Sequence, residues 1–380
     1  MPRKAPASRT KKPSRPAKRS PITTDKRSLQ RDPLVEYRAA LGPKAGEGDV
    51  AVRVEPLTGE VLSKVRMWLP TGILGLDTLL GGRGLPCGRV VELYGPNHIG
   101  KSTILDHMFA AAQRRLGYGL LVDTEAARDI EYTRALGVDV EKLQVIEFER
   151  GELTVEHIVN KVFASIDWWR TNYPESPVVI GWDSLGGTAT NEELTKQVGD
   201  PTMASAAKVM RQACRQVAGR IGNSAVVLVI CNHEYEKIGQ HFGVGSKKST
   251  YGGEALRHAA SIRIELYNAG AIKRADGTLV GREVGLKLGK NRLGPPGECR
   301  LAILHGLGVD NTWTIYQELL RVGYLQQARA GWTTLNLDGQ ELKVQGWSGL
   351  RAKIAEDPAL FDRLLAAYQS VVKPPVVPTE

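Results

Sequence analysis

The chain has little that could cross-link it or anchor it in a membrane. Only 4 of its 380 residues are cysteine. Cys87, Cys214, Cys231 and Cys299 are scattered, with no Cys-x-x-Cys pair and no histidines at ligand spacing. A zinc site or a disulfide framework is therefore not expected, and a reducing interior fits best. No apolar run reaches the roughly 18 residues that a membrane-crossing helix needs. The N-terminus has no apolar stretch of the kind a secretory leader carries. Cytoplasmic location and no membrane partner are the expectation. Acid is missing from one place only: residues 1–30 hold ten basic residues against Asp25, which accounts for +9 of the chain's net +10. The remaining residues are close to neutral.

Residues 1–30 also contain five prolines and no aromatic residue. Such a segment cannot bury enough apolar surface to offset ordering entropy, so a disordered tail is expected. A transit peptide needs an amphipathic helix that five prolines would spoil. A solvated arm and an arm that lies along nucleic-acid phosphates both remain, the second slightly favoured because Lys and Arg are interleaved with Pro and Ser.

From about residue 60 the pattern alternates between strand and helix. Apolar runs at 90–94, 119–123, 143–148, 178–183 and 225–232 read as strands, and 101–115, 155–170 and 203–221 as helices. Continuous apolar strands alternating with helices predict a mainly parallel sheet covered on both faces. Three further strands are expected near 261–267, 284–288 and 299–304, with a hairpin turn at Asp276-Gly277. After about residue 325 the character changes to a small mixed unit with a last helix over 358–372.

Gly95-Pro96-Asn97-His98-Ile99-Gly100-Lys101-Ser102, followed by Thr103, fits G-x-x-x-x-G-K-[ST] and lies between an expected strand and an expected helix. Glycines let backbone amides turn inward around phosphate oxygens, and the helix N-terminus favours the same anion. Lys101 is placed to reach the β- and γ-phosphates, and Ser102 to offer its hydroxyl to Mg²⁺. Asp183 ends an apolar run and has the position of an acid that supports the metal from a neighbouring strand. Glu125 could polarise a water against the γ-phosphate, with Asp123 and Glu131 as rivals nearby. Residues 233–252 form a polar, glycine-rich stretch carrying Lys237, Lys247 and Lys248 with Tyr235, Phe242 and Tyr251. A stretch that long inside a compact domain suits contact with phosphates and bases, or else a mobile surface loop.

These residues carry a likeness. Residues 84–96, the glycine loop, Val122-Asp123-Thr124-Glu125, Arg134-Ala135-Leu136-Gly137-Val138-Asp139, Asp183-Ser184, Gly199-Asp200, Lys237-Ile238-Gly239, Phe242-Gly243, Gly252-Gly253 and Lys290-Asn291 together resemble the RecA recombinase family. The likeness spans roughly residues 60–370. It implies an α/β fold with a RecA-like P-loop ATPase core over 61–325, preceded by an assembly segment at 31–60 and followed by a small α+β domain at 326–380. It implies an ATP-dependent recombinase that forms filaments on single-stranded DNA, with ATP and Mg²⁺ between protomers, and exchanges strands with double-stranded DNA.

Residue by residue, the resemblance makes Glu125 the glutamate that positions the attacking water. It makes Asp129 and Tyr132 the adenine contacts, and Lys290 and Arg292 the cations that reach the ATP of the adjacent subunit. Met203 and Ile238 match apolar side chains inserted between base triplets. Lys208, Arg215, Lys237 and the Gly252-Gly253 turn match contacts in the DNA channel, and Phe242 belongs to the same loop. There are also departures from the family pattern. His233 stands where a glutamine senses the γ-phosphate, His305 replaces an aromatic near the adenine pocket, and Arg292 replaces a lysine. Glu234 and Glu236 bring negative charge to a DNA loop, and His98 and Ile99 are bulky inside the glycine loop. No assembly helix is recognisable in 31–60, and no acidic tail at the C-terminus. A divergent member is expected, with a regulatory paralogue and a ring-forming motor as the alternatives.

Overall fold

Val90-Val91, Val178-Val179-Ile180 and the run Val226–Ile230 are apolar on both faces and rich in β-branched side chains, the composition of strands buried from both sides. In the computed structural model they form the centre of the main sheet. The structure describes residues 64–126, 128–146, 153–197, 205–236, 248–274, 276–328, 331–337 and 339–375. The basic tail, the 31–60 segment, Met203, Lys237, Ile238 and Phe242 lie outside the described residues.

A short ribbon, β1 (Trp68–Leu69) with β2 (Leu85–Pro86), precedes the main sheet. The sheet then follows as β3 (Arg89–Gly95), β4 (Tyr118–Asp123), β5 (Leu143–Val145), β6 (Val178–Asp183), β7 (Val226–Glu236), β8 (Lys248–Thr250), β9 (Ile262–Lys273), β10 (Leu279–Asn291), β11 (Glu298–Leu304) and β12 (Gly308–Val309). The spatial order is β12-β11-β10-β9-β3-β7-β6-β4-β5, with β8 paired to β7. From β9 to β5 every neighbouring pair is parallel, and β10 to β12 extend the sheet antiparallel. The expected turn at Asp276-Gly277 joins β9 to β10, with Asp276 Oδ1 accepting from the amide of Thr278 at 2.9 Å.

Alternation along the strands divides the interior. Val91, Leu93, Val179, Val227 and Val229 pack against Ile104, Leu105, Met108 and Phe109 of the helix Lys101–Arg114. Val90, Ile180, Leu228 and Ile230 face the helices Val155–Asn172 and Ser205–Ile221. The first helix approaches closely because the strands below it carry glycine. A Cβ on Gly181 would lie 2.7 Å from Phe109, and one on Gly119 would lie 2.8 Å from it.

A third core joins the helix Asn311–Arg321 to the antiparallel sheet β13 (Gln326–Gln327), β14 (Trp332–Leu337) and β15 (Gln340–Gln345) and to the helices Gly346–Glu356 and Ala359–Val371. The expected fold class, a mainly parallel sheet flanked by helices with a small mixed C-terminal unit, is the fold observed. Among the described residues no helix is long and apolar enough to cross a membrane.

One reading needs correction. The stretch 233–252 is not irregular at its ends, because β7 continues through Glu236 and pairs with β8 in the register Glu234↔Thr250, Tyr235↔Ser249 and Glu236↔Lys248. Pairing absorbs backbone groups that a bare loop would leave to water, and the Tyr235 and Tyr251 rings lie 5.1 Å apart across the ribbon.

Candidate nucleotide site

Parallel order puts the carboxyl ends of β3, β7, β6 and β4 side by side, the place where open α/β sheets bind ligands. Gly95 pairs with His233 across β3 and β7, and Asp123 with Asp183 across β4 and β6. A cavity of about 340 Å³ opens there, lined by Asn97, His98, Gly100, Lys101, Ser102, Thr103, Glu125, Asp183 and His233.

The glycine loop is held from several sides. Gly100 is left-handed (φ 110°), and a Cβ there would strike Ile303 at 2.5 Å. Ile99 drops into the core at 3% exposure, which explains how a bulky residue is accommodated in the loop. His98 is exposed, with φ 57°, and its carbonyl accepts from Arg282 at 2.7 Å. Lys101 Nζ donates to the carbonyls of Pro96 (2.8 Å) and Gly95 (3.3 Å), and burial pushes its ammonium below the ordinary lysine value.

His233 lies between this lysine and a carboxylate. Its Nδ1 is 3.3 Å from Lys101 Nζ, and its Nε2 is 2.9 Å from Glu125 Oε1 and 3.0 Å from Ser184 Oγ. A lysine ammonium only donates, so Nδ1 accepts and the ring proton sits on Nε2, facing Glu125. Ser184 Oγ also donates to Glu125 Oε1 at 2.6 Å. Hydrogen bonds from Ser184 and then His233 hold the Glu125 carboxyl below the usual glutamate value. Both rivals of Glu125 are committed elsewhere. Asp123 Oδ1 accepts the amides of Glu125 (3.1 Å) and Ala126 (3.0 Å), and Glu131 pairs with Arg134 on the exposed surface.

Asp129 caps the helix Ile130–Ala135, accepting the amides of Glu131 at 2.9 Å and Tyr132 at 3.1 Å. Tyr132 OH meets Thr103 Oγ1 at 3.2 Å, which ties this short helix to the glycine loop. His305, exposed just beyond β11, does not line the cavity.

Not every candidate converges. Lys290 and Arg292 lie at the opposite end of the sheet, because β10 runs antiparallel and Asn291 pairs with Ile262 at the start of β9. Lys290 Nζ donates to the carbonyls of Arg257 (2.5 Å) and His258 (2.9 Å), and Arg292 to that of His258 (2.7 Å). Burial, then the neighbouring Arg292, pushes Lys290 down to about 8. Lys208 and Arg215 are exposed on the helix Ser205–Ile221, seven residues apart and so on one face. Gly252 and Gly253 have φ 79° and 60°, a turn that admits the chain from β8 into the helix Gly253–Ala259.

Sequence reasoning missed two buried charge clusters, since their members are far apart in the chain. Arg128 Nη2 donates to Asp183 Oδ2 at 3.0 Å, and its other arm meets Asp106 Oδ1. Glu92, fully buried on β3, takes Arg263 Nε on one oxygen and Asn232 Nδ2 on the other at 2.9 Å. Asn232 Nδ2 also donates to the carbonyl of Tyr251 at 2.8 Å, and Arg263 to Thr250 Oγ1 at 3.3 Å. The base of the β7–β8 ribbon is thereby fastened to the strand that carries the glycine loop.

Known proteins match this chain over most of its length. The RecA N-terminal domain family matches residues 51–310. The protein RecA of Petrotoga mobilis is 31% identical over 343 residues, covering 90% of this chain and 89% of its own. That of Arthrobacter is 33% identical over 341 residues, covering 88% and 91%. The Rubrobacter xylanophilus RecA is 33% identical and covers 78% and 81%. With that span and a glycine loop, carboxylate and ribbon all meeting at one sheet end, the chain belongs to the RecA family.

Proposed function

We propose that this chain is an ATP-dependent recombinase. It binds ATP with Mg²⁺, assembles as a filament on single-stranded DNA, and promotes pairing and strand exchange with double-stranded DNA in cytoplasmic recombinational repair. What carries the reading is the convergence of Lys101, Ser102, Glu125, Asp183 and His233 on one cavity in a member of the RecA family.

The residues fit a magnesium nucleotide. Ser102 and Asp183 are hard oxygen donors, and the Lys101 ammonium is held on the loop's own carbonyls, within reach of a phosphate. Mg²⁺ bound there would neutralise charge on the β- and γ-phosphates. Lys101 holds the same phosphates, and Tyr132 stacks on the base beside Asp129. Glu125, kept ionised by Ser184 and His233, orients the attacking water through its carboxylate. His233 touches both the phosphate lysine and the water carboxylate and sits on β7, so a change at the phosphate reaches the β7–β8 ribbon directly. Lys290 and Arg292, away from their own chain's cavity, reach the nucleotide of the adjacent protomer. Lys208, Arg215, Lys237 and the Gly252-Gly253 turn contact the DNA backbone, Met203 and Ile238 insert between base triplets, and Phe242 serves DNA binding from the same loop. The division into a tail (1–30), an assembly segment (31–60), a core (61–325) and a C-terminal domain (326–380) belongs to this reading.

The test is negative-stain imaging with single-stranded DNA and a non-hydrolysable ATP analogue. Helical filaments are expected, and Lys101→Ala should abolish both them and nucleotide-dependent DNA binding. Rings would indicate a motor, and the absence of any assembly a regulatory paralogue. ATP-dependent DNA binding surviving in Lys101→Ala would overturn the site.

A further inference from the structure

We propose that Arg128 is a positioning residue that sets how strongly the nucleotide site holds its divalent cation, by occupying one oxygen of Asp183. The inference rests on the reading of Ser102 and Asp183 as the metal-supporting pair.

The geometry is that of a three-residue bridge. Arg128 Nη2 donates to Asp183 Oδ2 at 3.0 Å while Nη1 pairs with Asp106 Oδ1. Thr133 Oγ1 donates to Asp106 Oδ2 at 3.0 Å, so that carboxylate is held from both sides. The side chains of Asp106, Asp183 and Arg128 are 3%, 10% and 13% exposed, which sets this cluster apart from the chain's surface ion pairs. Asp106 lies four residues after Ser102 on the helix Lys101–Arg114, one turn along the same face. The bridge therefore fixes the acid at the end of β6 relative to the hydroxyl at the start of the helix. Arg128 also directly precedes Asp129, the cap of the helix that carries Tyr132, so the base side of the site shares the same anchor.

A guanidinium remains charged at any working pH and presents a rigid fork. Two carboxylates and one guanidinium carry a single net negative charge. With Oδ2 bonded to Arg128, Asp183 presents only Oδ1 freely to a metal-bound water, and a divalent cation meets a carboxylate already partly neutralised. In a dry cluster such a counter-charge is screened little. If the bridge only held the helix to the loop, altering its charge would change stability and leave the cation demand unchanged.

Equilibrium binding of a fluorescent ADP analogue to the full chain, titrated with MgCl₂, separates these cases. The double variant Arg128→Leu/Asp106→Leu keeps an apolar contact in place of the ion pair and returns Asp183 its full charge. Its half-saturating Mg²⁺ concentration should fall by about three- to tenfold, the scale of one partly screened charge at this range. Asp106→Asn leaves Arg128 to Asp183 alone, and the midpoint should rise by a similar factor. The second variant is nearly isosteric and reports even if the first fails to fold. Equal midpoints in the unaltered chain and Asp106→Asn, or a raised midpoint in the folded double variant, would overturn the role of Arg128. No Mg²⁺-dependent binding by the unaltered chain would instead remove the nucleotide-site reading, and this inference with it.

Discussion

At the scale of single residues, the polarity of a few hydrogen bonds determines the chemistry. Lys101 donates to His233, His233 donates to Glu125, and Ser184 donates to the same oxygen. Both side chains that hydrogen-bond Glu125 donate to its carboxylate, so Glu125 is favoured in its ionised form. Replacing Glu125 by Gln should leave nucleotide binding intact and slow hydrolysis by orders of magnitude, measured as phosphate release. Ser184→Ala removes the first of the hydrogen bonds that depress the Glu125 carboxyl, so that group should protonate at a higher pH than in the unaltered chain. In the proposed mechanism activity needs the carboxylate, so the acid limb of the pH–rate profile should move upward in pH. An unmoved limb would mean that another group controls it. Which of three nearby acids plays this part was not legible from spacing alone. Asp123 is engaged in a turn and Glu131 in a surface pair that only the folded chain displays, which supports the proposal of Glu125.

At the scale of elements, the sequence made the local features legible and hid those that need distant partners. The glycine loop, the strands around it and the hairpin at Asp276-Gly277 each occupy a few adjacent residues, so pattern alone finds them. The Glu92–Arg263 pair joins positions 171 residues apart, and neither residue stands out in a strand that looks merely apolar. It nevertheless lies between β3 and β9 with the Arg263 guanidinium 4.3 Å from the centre of the Tyr94 ring. Removing one partner of a buried pair leaves the other charge stranded. Arg263→Ala should therefore destabilise the protein by about 3–5 kcal/mol, read from urea unfolding. Because Arg263 also reaches Thr250, this variant should loosen the foot of the β7–β8 ribbon, seen as faster amide exchange at Ser249 and Thr250. A stability change under about 1 kcal/mol would mean that water compensates Glu92.

At the scale of the whole molecule, charge is divided between two parts. Nearly all of the net +10 belongs to residues 1–30, and the rest of the chain, holding the sheet and the cavity, is close to neutral. A near-neutral body offers DNA no broad attractive field, so in the proposed function phosphates are met by a few placed cations such as Lys208 and Arg215, with the acidic Glu234 at the start of the ribbon. The ten basic residues of 1–30, interleaved with proline and serine, are a source of phosphate contacts, and each phosphate neutralised adds to the salt dependence of binding. Deleting residues 1–30 should therefore weaken single-stranded DNA binding and flatten the slope of log K against log salt. If the tail makes three to five contacts, the slope should become shallower by about 2 to 3.5, using roughly 0.7 released counterions per contact on a single strand. The described residues that line the nucleotide cavity run from Asn97 to His233, so Mg²⁺-dependent nucleotide affinity should be the same with and without the tail. An unchanged salt slope would reduce the tail to a solvated arm and leave all DNA contact to the near-neutral body.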